Sequence, residues 1–130
     1  MAYCTYDDLI NAFNADEILQ LTDRDRDGVQ DYGVLEDAQS FTDTFMDGFL
    51  RERYTLPLTK VPKSLTGIAC DIVRYRLYEG EPSKTVQDRY EAALLYLRDI
   101  ARGLVQLEVE TGGESIAFTK PTAIFTRFSL

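Results

Sequence analysis

The chain has 130 residues, 45% hydrophobic and 28% charged, the proportions of one globular domain able to bury its own core without a disulfide or metal staple. Its formal net charge of −8 argues against duplex nucleic-acid binding through a basic face. The absence of His removes the commonest general base and every Ser-His-Asp or Cys-His arrangement, so the expectation is that the chain is not an enzyme.

The N-terminal segment carries neither a basic n-region nor an apolar h-region, and no stretch approaches the ~20 apolar residues of a membrane span. The expectation is a protein that stays in the cytoplasm with no membrane association. Thr5 followed by Asp8 has the form of a capping box, and Asn14 with Glu17 repeats it. Two short helices are therefore predicted over roughly 6–13 and 15–21. Val34, Ala38, Phe41, Phe45 and Phe49 then recur at spacings of three and four, marking the buried stripe of a long helix reaching about Tyr54. As a core residue, Phe45 would cost about 3 to 5 kcal/mol on truncation to Ala.

Pro57 and Pro62 bracket an extended linker, and Ser64 offers a cap for the next helix. There, Leu65, Ile68, Ala69, Cys70, Ile72, Val73 and Leu77 cover so much of the circumference that this helix should be central. Arg74 and Arg76 alternate with Tyr75 and Tyr78, and snorkelling along the helix explains them better than stacking on nucleic-acid bases. Ser83 caps a last helix whose seam is Val86, Tyr90, Ala93, Leu97, Ile100 and Leu104. Past Gly103 the period changes, and residues 105–130 read as an extended apolar arm. The predicted fold is mostly α: a small bundle of about four to five helices over 1–104, with a C-terminal arm over 105–130 that forms at most a short β-hairpin or strand.

Charge is unevenly distributed. Residues 1–47 hold twelve acids and two bases, whereas residues 48–130 hold ten acids and twelve bases. Such asymmetry suits the acidic part of one copy facing the basic part of another, with a plainly solvated acidic face as the alternative.

Asp23, Asp25, Asp27 and Asp31, with Gly28 between them, occupy positions 1, 3, 5, 9 and 6 of a calcium loop of the EF-hand type. Val34 stands at position 12, where a bidentate Glu should close the site, and Glu36 lies two residues too far along. The favoured reading is a polar turn in which Arg24 and Arg26 neutralise the aspartates and Asp31 caps the next helix. No cofactor is expected beyond weak Ca2+ at these four residues. Cys4 and Cys70 lie 66 positions apart without a C-x-x-C pattern, so neither a zinc site nor a disulfide framework is indicated, and Cys70 reads as a core thiol in a reducing compartment.

Several segments in order resemble the neck protein family of Mu-like phages and prophages. They are the opening Met-Ala-Tyr-x-Thr-Tyr-Asp-Asp-Leu-Ile, Leu21-Thr-Asp-Arg-Asp, Arg53-Tyr-x-Leu-Pro-Leu, Ile68-Ala-Cys-Asp-Ile-x-Arg-Tyr-Arg-Leu and Phe125-Thr-Arg-x-Ser-Leu. The resemblance implies a structural head-to-tail connector without catalytic residues. It implies a homo-oligomeric ring, in such families a dodecamer, between the portal protein and a tail-side neck or stopper protein. It places the chain in the virion, after assembly in the host cytoplasm, with DNA passing through the channel without sequence-specific binding. The arm is where docking is expected, on a neighbouring subunit or the portal, through Phe118, Ile124, Phe125, Arg127, Phe128 and Leu130. The alternative class is a calcium-binding helix-loop-helix interaction module centred on Asp23 to Asp31.

Overall fold

Local capping sets the first helices. In the computed structural model, which describes residues 2–107, helix α1 spans Tyr6–Ala12. Its N-cap Thr5 accepts from Asp8 N at 3.1 Å, while Asp8 returns a carboxylate to Thr5 N at 2.9 Å, completing the expected capping box. Helix α2, Ala15–Thr22, starts at Asn14, whose side chain accepts from Asp16 N at 2.7 Å. Glu17 takes no part in that cap, because its carboxylate is engaged by Arg74 instead.

Helix α3 runs Val34–Leu50, and its N-cap is Gly33, in a left-handed conformation with φ of 88°. Glu36 accepts from Gly33 N at 3.1 Å, so Asp31 is not the cap of this helix. The buried stripe is Leu35, Ala38, Thr42, Met46 and Leu50, with the phenylalanines on the flank. Phe45 and Phe49 are half-buried and Phe41 is 41% exposed; Phe41 stacks on Phe45 with centroids 5.7 Å apart, and Phe45 meets Phe49 edge to face at 5.3 Å. The Arg76 guanidinium covers the Phe41 ring at 3.7 Å, which lets an aromatic face remain at the rim of the bundle.

A linker with a cis Leu56–Pro57 bond leads to helix α4, Lys63–Leu77, which starts at Pro62 rather than Ser64. As the sequence predicts, α4 is central: it packs on α1, α2, α3 and α5. Leu65, Ala69, Cys70, Ile72, Val73 and Leu77 are its buried residues. Helix α5, Lys84–Ala101, is capped by Ser83, which accepts from Val86 N. Its buried seam is Val86, Ala93, Leu97 and Ile100, while Tyr90 stacks on Tyr75 of α4 at 3.8 Å.

Helix α5 ends in a Schellman arrangement. Gly103, at φ of 82°, donates to Ile100 O, and Leu104 N donates to Asp99 O at 2.8 Å. Leu104, expected in the seam, lies beyond this stop and is 70% exposed. The chain then turns back, burying Leu107, whose N–H donates to the Tyr54 hydroxyl at 2.9 Å. The described residues contain five helices and no strand. The rest of the expected arm, with its hairpin or strand, lies outside them.

The three long helices alternate in direction. Only six residues, 78–83, connect α4 to α5 and the two pack closely, so they run antiparallel. Arg53, just past α3, donates to Ala101 O at 3.1 Å, bringing the C-terminal ends of α3 and α5 together. The start of α3 and the end of α4 therefore share the opposite pole.

Candidate functional site

The aspartate loop sits at the pole formed by the start of α3 and the end of α4. Its base is closed by Asp31 N donating to Thr22 O at 2.8 Å, and Thr22 is itself buried with its hydroxyl on Ile18 O. Short Asp side chains accept readily from backbone N–H groups a few residues on, and this loop is built on that preference. Asp23 accepts from Asp27 N at 3.0 Å and Gly28 N at 2.8 Å. Asp27 accepts from Val29 N at 3.0 Å, and Asp31 accepts from Arg24 N at 2.6 Å and Asp25 N at 3.2 Å. Gly28, at φ of 91°, supplies the left-handed turn that an L side chain rarely adopts.

These bonds bring all four candidate ligands together: one carboxylate oxygen from each of Asp23, Asp25, Asp27 and Asp31 lies within 4.8 Å of the others. The concentration of charge is felt unequally. Partial desolvation by the loop, then Asp23, Asp27 and Asp31 around it, push Asp25 up to about 6. Asp23 is held below its ordinary value, because the N–H groups of Gly28 and Asp27 outweigh its desolvation.

Arg24 does not neutralise this cluster. Its guanidinium reaches away to Glu79 at 3.0 Å, Leu77 O at 2.9 Å and Leu21 O at 2.9 Å, tying the loop to the end of α4. Nor does position 12 contribute, since Val34 packs against the core and Glu36 is committed to Gly33 N. The arrangement is an incomplete oxygen cage of the kind a hard cation such as Ca2+ accepts.

Of the expected docking residues, Phe118, Ile124, Phe125, Arg127, Phe128 and Leu130 lie outside the described residues. The described surface is nevertheless polarised. Acids predominate at one pole, where the aspartate loop, Glu36, Asp37 and Glu79 outnumber Arg24 and Arg26. At the other, where α3 and α5 end, stand Arg51, Arg53, Arg98 and Arg102. The tyrosines and arginines of α4 form no open stacking platform: Arg74 lies over the Phe13 ring at 4.1 Å, and Tyr78 donates to Glu17 at 2.9 Å. What the sequence reading missed is the N-terminal strap. Tyr3 and Cys4 are buried there, with Tyr3 N donating to Asp43 at 3.0 Å, the Tyr3 hydroxyl donating to Asp47, and Gln39 donating to Cys4 O.

No described helix is long and apolar enough to cross a membrane. Comparison with known proteins gives a consistent relationship. The chain is 30% identical to "Gene product J" of Escherichia phage Mu over 112 residues, covering 85% of this chain and 79% of that protein. It is 32% identical to "Mu-like prophage FluMu protein gp36" of Haemophilus influenzae over 83 residues, covering 64% of this chain and 56% of that protein. The family profile described as "Bacteriophage Mu, Gp36" matches residues 3–123, which takes in the strap, all five helices and the aspartate loop. The chain belongs to the Bacteriophage Mu Gp36 family of Mu-like phage proteins.

Proposed function

We propose that this phage protein is a structural head-to-tail connector, forming a ring beneath the portal protein and joining it to a tail-side neck or stopper protein. The observation that carries the reading is the excess of acidic side chains at one pole of the bundle and of arginines at the other, on a chain of this family. A ring requires each copy to present two different surfaces to its two neighbours. Two poles of opposite sign supply such surfaces, and the acidic loop would meet the arginines beside the ends of α3 and α5. The segment after Leu107, which includes Phe118, Ile124, Phe125, Arg127, Phe128 and Leu130, supplies the apolar contact with a neighbour or the portal. Mostly negative charge would keep DNA from binding as it passes.

The test is native mass spectrometry of this protein mixed with the portal protein of the same phage, full-length and truncated at Lys120. The expected result is a discrete complex of the portal with a ring of this chain, lost on truncation. No complex with either chain would overturn the connector reading, and an unchanged complex after truncation would remove the arm from it.

The convergence of four carboxylates supports a second role, weak Ca2+ binding at Asp23, Asp25, Asp27 and Asp31. With position 12 empty of a ligand, affinity in the range of ~10⁻⁴–10⁻³ M is expected. Calorimetric titration with CaCl2 should give heat with the native chain and none with Asp25→Ala. Absence of heat up to ten-millimolar-scale Ca2+ would reduce the loop to a structural turn.

A further inference from the structure

The fold joins two cysteines that the sequence holds far apart. Cys4 lies on the strap before α1 and Cys70 in the middle of α4, and their sulfurs are 2.8 Å apart. Both residues are buried, 1% and 2% exposed, and both are free thiols. The strap that carries Cys4 is positioned independently of the thiols, by Tyr3 on Asp43 and Asp47 and by Gln39 on the Cys4 carbonyl. The juxtaposition is therefore a property of the fold around the sulfurs and does not depend on a bond between them.

We propose that Cys4 and Cys70 form a native redox cross-link site, closed to an intramolecular disulfide by a small-molecule disulfide oxidant such as oxidised glutathione. In the first step the Cys4 thiol gives its proton to water, and the thiolate attacks one sulfur of the oxidant, breaking its S–S bond and releasing one glutathione thiolate. Cys70 then loses its proton and attacks the Cys4 sulfur of the mixed disulfide, releasing the second glutathione. Two protein thiols are oxidised, one glutathione disulfide is reduced to two thiols, and the protein loses two hydrogens.

Cys4 is the entry thiol because of where it sits. It belongs to a strap of a few residues outside any helix, which must release its bonds to α3 to open, whereas Cys70 is built into the central helix. In the closed state both sulfurs are shielded, and the hydrogen bond with Cys70, together with burial, holds the Cys4 thiol far above its ordinary range. The thiol is thus inert while the strap is seated, and oxidation proceeds through strap opening. Once formed, the bond ties the strap to α4 and closes a loop of 66 residues' separation, which raises the resistance of the fold to heat.

The test uses the full chain, incubated with oxidised glutathione under native conditions, quenched in acid, alkylated under denaturing conditions and weighed intact. The expected product is a monomer about 2 Da lighter that takes up no alkylating agent, with a melting temperature raised by about 10 °C and reversed by dithiothreitol. Cys70→Ser should stop at the glutathione adduct on Cys4. Two alkylatable thiols after prolonged native oxidation would overturn the proposal. So would cross-linked dimers in place of the monomeric product, or a disulfide that appears only when the chain is first unfolded in urea. The wild-type measurement needs no substitution, so its outcome stands even where a serine variant folds poorly.

Discussion

Glu17 of α2 grips Arg74 of α4 with both carboxylate oxygens, at 2.9 and 3.1 Å, and the same carboxylate accepts the Tyr78 hydroxyl at 2.9 Å. This is a forked, charge-assisted pair in a partly buried setting, with Arg74 lying over Phe13 of the α1–α2 junction. Glu17→Gln should cost about 1–3 kcal/mol in urea melts. Burial raises the Glu17 pKa, but the Arg74 and Tyr78 hydrogen bonds outweigh it and leave the group below its ordinary 4.5. Its stabilising contribution is thus complete above that value and is lost as the pH falls through the lower folded value. The difference between wild type and Glu17→Gln should shrink in melts taken progressively below pH 4.5; an acid-independent difference would show that charge is not what the pair contributes.

Asp25 behaves in the opposite sense. Its pKa is raised to about 6 from an ordinary 3.8, so its charge disfavours the folded loop above pH 6 and is relieved as the pH falls through that value. Asp25→Asn should therefore raise the melting temperature slightly at pH 7 and leave it unchanged at pH 3.5. A drop at pH 7 in Ca2+-free buffer would mean that the carboxylate supports the loop.

The contrast between Met46 and Phe45 tests the core of α3. Met46 is fully buried, and Met46→Ala should cost about 2–5 kcal/mol. Phe45 is only half-buried on the flanking row, so Phe45→Ala should cost about 1–2 kcal/mol, chiefly lost ring contacts with Phe41 and Phe49. Equal losses in guanidinium melts would return the phenylalanines to the core.

Gly103→Ala should destabilise by about 1–2 kcal/mol, because the residue is left-handed and ends α5. An added Cβ would sit 2.9 Å from Cζ of Arg53, whose flexible end must move and release Ala101 O. Thermal melts should register the loss, and an unchanged melting temperature would show that the stop is not strained.

Those parts of the fold governed by neighbours in sequence were legible from it. Thr5 with Asp8, Ser83 before α5, and the apolar girth of α4 are local signals, and each structure they imply is present. The long helix was found but its face was turned. Phe41, Phe45 and Phe49 fit a helical stripe as well as Met46 and Leu50 do, and hydropathy does not reveal that an arginine from α4 will roof a ring at the rim. The aspartate spacing correctly grouped four carboxylates, yet Asp31 went to the N–H groups of Arg24 and Asp25 rather than to α3, since both choices satisfy the same side chain. Arg24 could have answered any nearby acid, and only tertiary packing selects Glu79. The Cys4–Cys70 contact left no trace in spacing, because it depends on the strap being laid across α3.

Helices α1 and α2, seven and eight residues long, are too short to persist alone and rest on each other and on α4. Neither can leave without stripping the partner's support, so they open as one cooperative unit, drawing Phe13 from beneath Arg74 as they go. In native-state hydrogen exchange the amides of Leu9 and Ile18 should share a single opening free energy, below that of the amides in the middle of α4 and α5. That outcome would make the N-terminal part of this bundle a cover that lifts while the three long helices remain assembled.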